Sequence, residues 1–203
     1  MLKQMILGLL TIVVYTGNVA YAAGDPVAGL QKANLCIRCH GKGGLSTQAK
    51  YPVLAGQVPG YITKQLEDFK SGARKFPVMS GMAARLSKQD MINLDAYFSS
   101  LPGAQGFVTK ADLPLALYGE KIFRGGHKKL NVSPCMACHA PDGKGVMPHF
   151  PRLAGQHAAY VEKQLLAFKS SKRTSDNTIM QQIAFLLSEK EIKALAIYVQ
   201  GLK

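Results

Sequence analysis

A chain of 203 residues with 47% hydrophobic and only 18% charged side chains has the apolar mass for one large core or two small ones, which excludes a disordered or low-complexity protein. Its formal charge of +13 points to acidic proteins or anionic lipid headgroups as partners. Nucleic acid is set aside, because no basic run is interleaved with aromatics and the N-terminus marks the chain for export.

The first residues, MLKQMILGLLTIVVYTGNVAYA, carry one lysine, Lys3, then an apolar run from Met5 to Tyr15, then small residues at Ala20 and Ala22. This pattern predicts a signal peptide over 1–22. The run falls short of the roughly 20 apolar residues that span a bilayer, and no later segment is longer. Export follows, and outside the cytoplasm unprotected thiols are oxidised. Loss of Lys3 leaves a mature charge of +12.

A short helix is predicted in PVAGLQKANL, directly before Cys36-Ile37-Arg38-Cys39-His40. Ile62, Leu66 and Phe69 recur at i, i+4 and i+7, the buried stripe of a helix. Ser87 and Asp90 read as a capping box opening a helix that buries Met91, Leu94 and Phe98. SSLPGAQGFVTKADLP, with three prolines and glycines in its first eight residues, interrupts regular structure and marks a junction. Beyond it the same parts return. LPLALYGEKIF precedes Cys135-Met136-Ala137-Cys138-His139, Val161, Leu165 and Phe168 repeat the stripe, and Ser188 with Glu191 repeats the box above Ile192, Leu195 and Val199.

Tyr51 to Arg74 and Phe150 to Arg173 share Pro, Leu-Ala-Gly-Gln, Tyr, Lys-Gln-Leu, Phe-Lys-Ser and the closing Arg at an offset of 99, which also superposes the cysteines. The last helices match at an offset of 101, so two residues enter the second copy between the blocks. The chain therefore reads as all-α, with a duplicated domain over 23–108 and 109–203. Residues 23–110 carry eleven basic and five acidic residues, against thirteen and seven in residues 111–203. Net charge gives no reason to prefer one half as the docking face.

All four cysteines lie in the two Cys-x-x-Cys-His units. A structural disulfide explains the cysteines but not the histidines. A thioredoxin-like pair wants a βαβ context that is missing. Zinc would need a fourth ligand from each copy, and His149 and His157 face Lys50 and Val58 at the 99 offset. Covalent haem uses every atom: each sulfur adds to a vinyl group, and His40 or His139 lies beneath the iron. A low-spin carrier needs a sixth ligand. Met79 and Met180 each lie seven residues before an equivalent Leu-Ser, whereas Met82 and Met91 face isoleucines. Met91 reads as core filler, Met82 as a weaker ligand candidate, and His127 as a surface residue in a basic turn. His149 and His157 read as polar or solvent-facing.

With both units, both PxLAGQ segments, YITKQLEDFKSG with YVEKQLLAFKSS, and the two late methionines, the chain resembles the dihaem cytochrome c4 family over its whole mature length. The resemblance implies two tandem class I cytochrome c domains with two covalently bound haem c groups. Cys36, Cys39, Cys135 and Cys138 would anchor them, and His40, Met79, His139 and Met180 would ligate iron. It implies a non-enzymatic periplasmic carrier, often attached to the inner membrane surface, running from a quinol-oxidising membrane cytochrome complex towards a terminal oxidase. A cytochrome subunit of a dehydrogenase and a dihaem peroxidase-like enzyme are the alternatives. Pro52 and Pro151 match the proline whose carbonyl takes a hydrogen bond from the proximal histidine. From Gly41 to Lys50 the first copy lacks the Asp-Gly-Asn type of turn, which the second partly keeps as PDGKG.

Overall fold

The computed structural model describes residues 24–175 and 177–203, so the signal peptide expected over 1–22 lies outside the described residues. These fold into two sets of five helices in the same order: α1 Pro26–Ala33, α2 Ile37–His40, α3 Tyr61–Ser71, α4 Pro77–Ala84 and α5 Lys88–Ser99, then α6 Leu113–Gly125, α7 Met136–His139, α8 Ala158–Lys169, α9 Ile179–Leu186 and α10 Glu189–Gly201. No sheet forms among the described residues; two isolated bridges, His127 with Val132 and Val146 with Phe150, are the nearest approach.

Each half buries its own core. Ala33, Ile62, Leu66, Phe69, Ala83, Met91, Leu94 and Phe98 make one. Ile122, Phe123, Val132, Val161, Leu187, Ile192, Leu195, Ala196 and Val199 are in the other. The periodic apolar positions of the sequence, except the partly buried Leu165, are thus the ones removed from water, each large buried side chain contributing roughly 1.5–3 kcal/mol. The expected capping boxes are present: the Ser87 and Ser188 hydroxyls accept from the Asp90 and Glu191 N–H groups, and both carboxylates reach back to the cap N–H.

In each half the first helix crosses the last at a glycine. A Cβ on Gly29 would lie 2.0 Å from the Asn93 carbonyl oxygen, and one on Gly119 2.1 Å from that of Ala194. Without a side chain, the helix backbones can touch. The cysteine motif follows this crossing at different distances. Cys36 comes seven residues after Gly29, but Cys135 comes sixteen after Gly119.

The halves meet along a seam built twice over. Gln57 accepts from the Arg152 N–H at 2.6 Å and donates to the Arg152 carbonyl at 3.2 Å. At the 99 offset, Gln156 accepts from the Val53 N–H at 2.9 Å and donates to the Val53 carbonyl at 3.0 Å. Arg74 donates to Gln65 of its own half and to Tyr160 and Gln164 of the other. Arg173 likewise donates to Gln164, Tyr61 and Gln65. Each guanidinium also lies over a phenylalanine of its own half, Phe69 at 4.6 Å and Phe168 at 4.5 Å. Such reciprocity is the mark of an isologous contact, here between two copies in one chain. Tyr160 feels both arginines: burial pushes its hydroxyl up, but the two guanidinium groups and Lys163 outweigh that and hold it below an ordinary phenol.

Candidate functional site

Both Cys-x-x-Cys-His units form a single short turn of helix, α2 and α7, with the histidine as its last residue. His40 and His139 are buried, each 7% exposed. The Nδ1 of His40 donates to the Pro52 carbonyl at 2.8 Å, and that of His139 to the Pro151 carbonyl at 2.9 Å. A carbonyl can only accept, so the proton sits on Nδ1 and the Nε2 lone pair is left to face outward. No protein group among the described residues hydrogen-bonds either Nε2. Burial lowers the pKa of both imidazoles, with the proline carbonyls partly opposing it; this favours the neutral ring that ligates a metal. Tyr51 flanks His40 at 6.1 Å between ring centroids, and Phe150 flanks His139 at 6.2 Å.

Two turns shape the floor of these sites. The Gly44 carbonyl accepts from Leu54 and Ala55 N–H groups, and the Gly143 carbonyl from Leu153 and Ala154. Both glycines have positive φ, 77° and 69°. The first copy therefore lacks the Asp-Gly-Asn letters of its loop but keeps the glycine that closes it. Gly56 and Gly155 then donate to Phe98 and Val199 on the last helices, so the Leu-Ala-Gly-Gln stretch ties the histidine's proline to the helical core. The residue after each histidine is also held at positive φ. Gly41 at 77° is suited to it, whereas Ala140 sits at φ 67° and ψ 156°, a region that is essentially glycine's.

None of the four cysteines is in a disulfide, and all are partly exposed. Burial pushes Cys36 up to about 11, with the neighbouring Cys39 adding to it. Cys135 is likewise pushed up to about 11. A redox-active pair needs the opposite shift. Among the described residues no three His, Cys, Asp or Glu side chains converge as a direct metal site would require. Two spaced sulfurs beside one buried, oriented imidazole fit a macrocycle clamped at its edge.

Met79 lies half-buried on α4 and packs against the same core as Cys36. Met180 is the second residue of α9 and is half-buried. Met91 is core, 1% exposed, and Met82 is half-buried. His157 is a satisfied polar group, its Nε2 2.8 Å from the Ser46 carbonyl across the seam, and His149 is exposed. His127 corrects the surface reading: its Nε2 lies 3.2 Å from Glu191 and it is only partly exposed. Sequence reasoning also missed the seam. The shared Gln57, Gln65 and Arg74 positions were visible, but nothing in their spacing separates a domain contact from a core.

This arrangement defines an all-α protein of two tandem class I cytochrome c folds. The Cytochrome c family model matches residues 119–203. Cytochrome c4 of Stutzerimonas stutzeri is 44% identical over 213 residues, covering 99% of this chain and 100% of that protein. The crystal structure of reduced recombinant cytochrome c4 from Pseudomonas stutzeri superposes with a TM-score of 0.84 at 44% identity, covering 89% of this chain and 100% of that one. A thiosulfate dehydrogenase electron acceptor of Stutzerimonas stutzeri is 38% identical over 168 residues, 82% of this chain and 78% of that protein. The chain belongs to the cytochrome c4 family. It is an electron carrier with two covalently bound haem c groups.

Proposed function

We propose that the chain is a periplasmic carrier, not an enzyme, made of domains 23–108 and 109–203, which takes electrons from a quinol-oxidising membrane complex and delivers them towards a terminal oxidase. Cys36 with Cys39 and Cys135 with Cys138 form the thioether anchors, His40 and His139 are the proximal ligands, and Met79 and Met180 the distal ones. When bound, haem c supplies an iron that passes between ferric and ferrous states. The protein's part is to hold it. The proline carbonyls fix both imidazole planes, the seam fixes one half against the other, and Met79 and Met180 would complete the iron's ligands in place of a substrate.

The observation that carries this reading is the pair of buried histidines, each with Nδ1 tied to a proline carbonyl and Nε2 presented outward. A second reading, a cytochrome subunit receiving electrons directly from a dehydrogenase, draws on the electron-acceptor relative. No helix among the described residues is long and apolar enough to cross a membrane. A dithionite-reduced spectrum with intact mass and redox titration tests the assignment: the expected result is two six-coordinate c-type haems. Rapid carbon monoxide binding to the native reduced protein would overturn the ligand set, and co-purification with a dehydrogenase would favour the second reading.

A further inference from the structure

The outer faces of the two halves differ where the first helix leads into the cysteine motif. In the second half, residues 126–134 form a loop with no counterpart in the first. His127 and Val132 exchange main-chain hydrogen bonds of 2.9 and 3.2 Å, Lys128–Leu130 makes a tight turn between them, and Asn131 takes a left-handed φ of 55°. Val132 anchors the loop in the core and His127 anchors it to Glu191. Lys128 and Lys129 are thereby held out into solvent.

Between this loop and α6 lies an open cleft of about 360 Å³, lined by Tyr118, Lys121, Ile122, His127, Lys128 and Lys129. Lys190 stands 5.8 Å over the Tyr118 ring. None of these four lysines is in an ion pair among the described residues. The carboxylate bonded to cleft residues, Glu191, is turned inward at 5% exposed and is taken up by Ser188, Tyr118 and His127. Leu117, one turn before Lys121, and Leu130 are exposed beside the lysines. At the corresponding place in the first half stand Val27 and Gln31, and the adjacent Lys32 is neutralised by Asp90 at 2.9 Å.

We propose that this cleft is the docking site for an acidic partner protein, which exchanges electrons with the second half. The inference rests on the carrier reading above. Small apolar contacts beside unpaired cations are what a transient, electrostatically steered interface uses. The loop runs directly into Cys135, so a partner seated there lies on the chain that carries the second cysteine clamp. The similar net charge of the halves hides this asymmetry; in the first half Lys32, Lys64 and Lys88 are paired with Asp90, Asp68 and Glu67.

The test uses the full, haem-loaded, reduced protein, 15N-labelled and titrated with a decaglutamate peptide at low ionic strength. Amide shifts are expected to centre on residues 117–132. Affinity should fall about tenfold or more in Lys128→Glu/Lys129→Glu and less than about twofold in Lys75→Glu/Lys172→Glu, which makes the same change of charge on exposed residues elsewhere. Equal losses in both variants, or shifts centred elsewhere, would overturn the site. Binding to phosphatidylglycerol vesicles through the same lysines, with no peptide shifts in the cleft, would replace the acidic protein by a membrane. Spectrum and potentials are read on the same sample, so failed docking with normal haem signals leaves the carrier reading standing.

Discussion

Gln156 and Val53 exchange two hydrogen bonds across the seam, 103 residues apart, with the amide oxygen accepting from the Val53 N–H and the amide nitrogen donating to its carbonyl. Gln57 does the same to Arg152 in reverse. Side-chain amides here complete a main chain that no secondary structure satisfies.

Gln156→Ala should therefore destabilise the protein by about 3 kcal/mol, or roughly 6–12 °C in Tm, by leaving a buried N–H and carbonyl unpaired. Calorimetry on the haem-loaded protein reads this. A Tm unchanged from wild type would mean that the seam does not hold the halves together.

Ala140 holds a glycine-like conformation directly after His139. Ala140→Gly should stabilise by about 1 kcal/mol once strain is relieved and glycine's extra chain entropy is subtracted. Gly41→Ala should cost about 2 kcal/mol or more, since its Cβ would also lie 2.3 Å from the Leu45 carbonyl oxygen. Urea unfolding curves with opposite signs for the two variants are the expected result.

Met180→His should lower the reduction potential of one haem and Met79→His that of the other, because a thioether favours the ferrous state more than an imidazole does. A redox titration resolving two waves checks both. If one variant moved neither wave, that methionine would not be a ligand.

Stability should fall in acid. Burial pushes the Glu191 carboxyl up, but the Ser188 hydroxyl and N–H, the Tyr118 hydroxyl and His127 outweigh it and hold it below its ordinary 4.5. The folded value is the lower one, so this stability is complete above 4.5 and is lost as pH falls through the folded value. Asp90, held down by Ser87 and Lys32, acts in the same direction. Asp95, which burial raises despite three N–H groups on it, acts in the opposite one. Denaturant midpoints measured from pH 6 to pH 3 should show a shallower decline in Glu191→Gln. An identical decline would show that Glu191 is not responsible.

The repeat and the helices were legible because each is carried by letters at fixed spacing, whereas the histidine–proline bonds came only through the resemblance to the cytochrome c4 family. The Gly29 and Gly119 crossings were not legible, since the loop before Cys135 shifts their offset from 99 to 90 and hides the equivalence. His127 was misread for a physical reason: its neighbours in sequence are basic and exposed, while the partner that holds it, Glu191, is 64 residues away. The seam left its letters in plain view. An amide that completes the partner's main chain looks, in one dimension, like any other polar residue on a helix or turn.

The Gln57 and Gln156 clasps join neutral amides to neutral backbone. Salt screens charge pairs and leaves such bonds untouched. A rise in ionic strength would thus loosen whatever docks on the lysines of the outer surface and leave the spacing between the two redox centres unchanged. If a partner docks on the cleft lysines as proposed, its capture would weaken with ionic strength while the two halves kept their separation.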